Sequence, residues 1–147
     1  MRPCDPLYAP SGQAAFSDGY SFLLASTQSL TQMNKKLEAP VKMTAFRPNI
    51  VCDASSAFAE DRWGRIVFQS NPPIAMNLVK PCSRCKMPTI DQDTGIFDPN
   101  NEPTRTIKHF RSGGSLGFEK KDWNGEVGLP SSLFFFVSLS FSFLLFS

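Results

Sequence analysis

The apolar residues of this chain come in short runs broken by proline and turn residues, and that punctuation limits the fold more than any other feature. Phe22–Ala25, Ile50–Cys52, Ile66–Phe68 and Ala75–Val79 are strand-length segments, several of them β-branched or aromatic. Only two stretches carry helical spacing. In residues 26–40, Leu30, Met33 and Leu37 stand at i, i+3 and i+7, with Ser26 or Thr27 as cap, Lys35 and Lys36 near the end, and Pro40 as the stop. In residues 104–111 Ile107 and Phe110 face inward, and the SGGSLG stretch breaks the pattern. The expected class is therefore α+β and mostly β, a twisted sheet core with a few short helices. At 147 residues, one core is the most the chain should bury.

Three regions follow from composition. Residues 1–11 read as coil around Pro3, Pro6 and Pro10, neither an apolar leader nor an Arg-rich presequence; residues 12–127 are the domain; residues 128–147 are an apolar tail rich in Phe, Ser and Leu. With 15 basic and 13 acidic residues the formal charge is +2, so the footprint of a nucleic-acid binder is missing. The four cysteines, Cys4, Cys52, Cys82 and Cys85, lack the density of a secreted disulfide scaffold. Reduced thiols in an intracellular compartment, cytoplasmic or mitochondrial, are expected.

The sequence KPCSRCKMPTIDQDTG, residues 80–95, puts Cys82 and Cys85 on a loop at a strand end. A structural zinc site would need further ligands from Cys4, Cys52 or His109, none of them paired at zinc spacing. A thioredoxin-like pair needs a helix N-terminus after the first cysteine, and Pro88 with an acidic turn stands there instead. Against simple packing of a thiol as a small hydrophobe stand Lys80, Arg84 and Lys86, whose charges favour thiolate, the form a soft metal takes. Asp91, Asp93 and Gly95 imitate the start of a calcium loop. Pro99 and Pro103 spoil the helix that would bring Glu102 to its closing position, so a plain Asx turn is expected.

The tail holds no charge from Val127 to Ser147. Ser138, Ser140 and Ser142 interrupt its apolar run, which makes a short membrane anchor one reading. A second is translated intron, because pyrimidine-rich codons encode Phe, Leu and Ser. A domain that folds without the tail should stay soluble, free of detergent, when residues from Val127 onward are removed.

Several segments taken together resemble the MOSC domain family, found in molybdenum cofactor sulfurases and in amidoxime-reducing components. They are FSDGYSFLLAS, MNKKLEAPV, FRPNIV, AFAEDRWGRI, KPCSRCKMPTIDQDTG and TRTIKHFR, in family order over about residues 12–127. The resemblance implies a MOSC-type twisted sheet or barrel and a molybdenum cofactor (molybdopterin). Cys85 would be the metal ligand and the catalytic position, Arg47 and Asn49 would lie close to the pterin and its phosphate, and the turn at Ser17 and Asp18 would sit against the cofactor. A thiolate suits molybdenum, and an arginine makes charge-assisted bonds to phosphate. Without the resemblance, Arg47 reads as a surface ion pair, Asn49 as a backbone partner and Asp18 as the holder of its own turn. Phe58 and Trp63 read as core, Glu60 and Asp61 as turn or surface charges.

The implied activity is two-electron oxidoreduction, such as taking an N–OH compound to N–H, with a cytochrome b5-type electron donor. An alternative is the cofactor- or sulfur-carrying module of a sulfurase, to which pyridoxal phosphate attaches only by association. A third is an inactive truncated product. The chain departs from the family in lacking room for a β-rich domain in front, in placing Ser21 where proline is frequent, and in replacing the closing strands after Val127 by the tail. An incomplete sheet with exposed edges is the expected consequence.

Overall fold

The computed structural model describes residues 2–3, 13–14, 20–82, 86–112 and 134–139. Strands β1 (Arg2–Pro3) and β2 (Gln13–Ala14) pair as a small antiparallel ladder. The main sheet has five strands, β3 (Phe22–Ser26), β4 (Ile50–Cys52), β5 (Arg65–Phe68), β6 (Ile74–Pro81) and β7 (Phe134–Leu139), in the order β4-β3-β7-β6-β5. β3 and β4 are parallel and the other neighbours antiparallel. Helices α1 (Thr27–Asn34) and α2 (Thr104–Phe110) complete the α+β architecture. It fits a partial MOSC domain.

The expected elements form where local chemistry favours them. Ser26 is the N-cap of α1, in extended backbone, and its hydroxyl accepts from the Ser29 amide at 3.5 Å. At the other end the Asn34 side chain clamps the return loop: its Nδ2 donates to the Val41 carbonyl and its Oδ1 accepts from the Val41 amide, both at 3.0 Å. Glu102 steadies the start of α2, accepting from the Thr106 amide at 3.1 Å and from Arg105 Nε at 2.9 Å.

Side chains alternate across the sheet and feed two apolar clusters. One contains Leu24, Met76 and Val137, with Phe22, Ile50, Cys52, Trp63, Ile66 and Leu78 against them. The register agrees, since Phe22 and Leu78 are both partners of Val137, and Met76 is the partner of Ile66. The opposite face carries Leu23 and Ala25, packed with Met33 of α1, Ile107 of α2, Tyr20, Phe46 and Cys82. Phe110 and Phe58 join that cluster with ring centroids 6.1 Å apart.

Two features differ from expectation. Part of the tail is a strand: Phe134–Leu139 lies between β3 and β6, and Val137 is fully buried. Aromatic and β-branched residues in alternation with serine suit a half-buried strand as well as an interrupted apolar span. No helix among the described residues is long and apolar enough to cross a membrane. Cys82 does pack as a small hydrophobe, 2% exposed, despite the cations near it in sequence. The Asp91 loop is the expected Asx turn, its Oδ1 accepting from the amides of Asp93 (3.1 Å) and Thr94 (2.7 Å). Gly95, at φ +73°, takes the left-handed position that closes it.

Candidate functional site

Arg47 stands between a short 3-10 turn, Met43–Phe46, and the entry to β4. The turn is anchored by Phe46, which is 1% exposed. Arg47 then reverses the chain in left-handed backbone, φ 52° and ψ 49°, its amide donating to the Thr44 carbonyl at 3.1 Å. This conformation costs a non-glycine residue about 1–2 kcal/mol, and the following Pro48 ring favours extended backbone instead. The strain persists because both flanks are fixed.

Asn49 supplies the second flank. Its Oδ1 accepts from the Leu23 amide at 2.8 Å, and its own amide donates to the Leu23 carbonyl at 2.9 Å. The side chain therefore extends the β3–β4 ladder by one rung beyond Ile50, as the backbone-partner reading anticipated. The Nδ2 end of Asn49 has no partner among the described residues, and the residue is exposed. Arg47 is exposed as well and makes no ion pair among the described residues. The surface ion pair considered for Arg47 is not found among the described residues.

Ser17, Asp18 and Cys85 lie outside the described residues. Among the described residues, Tyr20, Phe46 and Cys82 share one buried cluster on the helix-covered face. Their approach differs in direction. Arg47 and Asn49 enter at the N-terminal ends of β3 and β4, whereas Cys82 follows the C-terminal end of β6, which runs parallel to β3. Ile50, Leu24, Phe135 and Pro81 form one row across four strands. At the usual strand spacing, that row sets β4 and β6 about 14 Å apart.

Sequence reasoning missed a buried polar network beside this face. Glu60, expected as a turn or surface charge, does lie in a turn but is 1% exposed. It belongs to the 3-10 turn Ala59–Arg62, which follows Phe58 in left-handed backbone and folds the carboxyl back onto α1. There the Ser29 hydroxyl bonds to Glu60 Oε1 and accepts from the Phe58 amide at 2.9 Å. Burial pushes the Glu60 carboxyl above its ordinary pKa, and the Ser29 bond opposes that shift. Its neighbour Asp61 holds Arg111 bidentately, at 2.9 and 2.6 Å, while the guanidinium lies 4.2 Å from the Phe58 ring centroid. The run Ala-Glu-Asp-Arg gives no apolar period to betray a buried acid. Only Phe58 and Trp63 on either side hint at it.

A separate groove of about 880 Å³ runs between residues 36–45 and the Asp91 turn with the start of α2. The Lys42–Asp93 ion pair, 2.8 Å, crosses its rim, and neither Arg47 nor Asn49 lines it. Among the described residues no three His, Cys, Asp or Glu side chains cluster as metal ligands.

Residues 11–128 match the MOSC domain family. The chain is 40% identical over 116 residues to mitochondrial amidoxime-reducing component 1 of Homo sapiens, covering 76% of this chain and 33% of that protein. It is 38% identical over 99 residues to mitochondrial amidoxime reducing component 2 of Bos taurus, covering 67% and 28%. The component 1 protein of Danio rerio is 31% identical over 107 residues, covering 73% and 32%. The chain thus spans about a third of the length of the curated relatives it matches. On the family match over most of its length, the chain belongs to the MOSC domain family.

Proposed function

We propose that this chain is a molybdenum-cofactor-binding domain of an oxidoreductase that reduces N-hydroxylated compounds. The overall conversion takes N–OH to N–H with two electrons and two protons and releases water. The observation that carries the reading is Arg47, exposed and held in strained left-handed backbone beside the pinned Asn49, on a chain whose relatives are named for amidoxime reduction. Strain maintained by fixed flanks is characteristic of positions that serve a ligand.

The described residues fit the cofactor at its anionic end. The Arg47 guanidinium would hold the pterin phosphate by charge-assisted bonds, and Asn49, its Oδ1 fixed by Leu23, would present its Nδ2 as a second donor. Cys85 would give the metal its thiolate, and Ser17 and Asp18 would bound the cofactor from the loop before β3. When bound, the cofactor supplies the two-electron redox chemistry, and the protein supplies binding and orientation. A cytochrome b5-type protein would deliver the electrons, and the mitochondrion is the compartment that the relatives' names favour. The sulfurase-module reading has no observation of its own here, and no lysine is assigned to pyridoxal phosphate.

The test is reduction of an N-hydroxylated benzamidine by the chain purified from a host that makes the cofactor, with a reduced dye in place of the protein donor. Turnover that disappears in Cys85→Ser, with the fold intact, is the expected result. Turnover equal in both forms would remove Cys85 from the reaction.

A further inference from the structure

We propose that Glu60 is a buried proton-binding site: the fold holds its proton more firmly than the unfolded chain does, and loss of that proton loosens the packing of α1 against the Ala59–Arg62 turn. The case rests on how few partners the carboxyl has. Glu60 is 1% exposed, its Oε1 meets the Ser29 hydroxyl, and its Oε2 is buried with no hydrogen-bond partner among the described residues. An ionised carboxylate has room for about four donors. One hydroxyl and the residue's own backbone amide do not replace the water that burial removes.

Among the described residues, cations supply only part of the difference. Helix α1 carries no charged residue, so Ser29 is all it offers. From the end of α2, Arg111 donates from both terminal nitrogens to Asp61, and its charge offsets part of the cost of ionising Glu60. On the turn itself Asp61 is a like charge that repels an ionised Glu60, and Arg62 is exposed. On β4 the Cys52 thiol, which donates to the Ala25 carbonyl, has its pKa raised by burial and by the Glu60 charge, so it provides no positive charge. As a neutral acid Glu60 needs far less: its proton is donated to Ser29 Oγ, and Ser29 still accepts from the Phe58 amide. The carboxyl then joins the apolar cluster of Met33, Phe58 and Phe110 without a charge.

The sign follows from linkage. A carboxyl with its folded pKa raised above the ordinary 4.5 stabilises the fold fully below that value, and the contribution is lost as pH rises through the folded pKa. Glu60→Gln keeps the shape and cannot ionise. The unfolding constant of the natural chain, divided by that of Glu60→Gln, should climb by up to about tenfold per pH unit over this window and level off above it. Asp53 and Asp91, whose pKa values are lowered by their hydrogen-bonded neighbours, titrate alike in both proteins and cancel in the ratio. A ratio independent of pH, or one that falls with pH, would overturn the proposal. Infrared spectroscopy of the natural chain gives a readout that does not depend on the variant folding. A protonated-carboxyl carbonyl band that persists above the ordinary pKa of 4.5 and is shifted by Ser29→Ala is expected, and its absence would equally overturn the assignment.

Discussion

Removing the C-terminal strand tests the fold most severely. β7 makes four register pairs with β3 and five with β6, and it joins the parallel β3–β4 pair to the β5–β6 hairpin. An antiparallel ladder gives about one hydrogen bond per register pair, each worth roughly 0.5–1.5 kcal/mol net, so the strand contributes about 5–13 kcal/mol before side chains are considered. Val137, fully buried between Leu24 and Met76, adds about 1.5–3 kcal/mol more. These amounts equal the whole stability of a typical domain, about 5–15 kcal/mol. Two separate two-stranded units are marginal alone. A chain ending at residue 133 should therefore lose its cooperative urea transition and far-UV strand signal. Should that shorter chain unfold with the same midpoint and the same m-value as the full one, β7 is dispensable and the reasoning from register is wrong.

Three substitutions at two positions separate structure from ligand binding at the β4 entry. Arg47→Gly relieves the left-handed backbone while adding unfolded-chain entropy, so stability should be unchanged or higher by up to about 1 kcal/mol in urea titration, while the pterin content of the purified protein falls. Asn49→Ala leaves the Leu23 amide without its acceptor and should cost about 1–2 kcal/mol, whereas Asn49→Asp keeps an acceptor and most of the stability, both read from urea midpoints at constant m-value.

The strands and helices were legible because each has a local cause. Ser26 caps α1, Leu30 and Met33 give it an inward face, and the runs at Phe22, Ile50, Ile66 and Ala75 are all strands within a residue or two of their expected bounds. What escaped was non-local. The pairing of Phe134–Leu139 with strands more than 50 residues away has no signature in the tail itself, where serine alternation reads equally as a broken membrane span. Glu60 was misread for the same reason, since its burial depends on Ser29 arriving from α1 and on the turn at Phe58, 31 and two residues away. At the candidate site, the residue types of FRPN were readable, but the left-handed Arg47 and the two-way bond from Asn49 to Leu23 are properties of the fold. The cysteines divide similarly: Cys82 is core, a role that sequence neighbours of like charge concealed.

Molybdenum and pterin content decides the central claim. The full chain and its Cys85→Ser variant would be purified from a host that makes the cofactor, and metal and pterin measured per chain. Near-stoichiometric molybdenum in the natural chain, lost from the variant while the unfolding transition is kept, is what a cofactor site built on Cys85 and Arg47 predicts. Molybdenum missing from both, or equal in both, would contradict it.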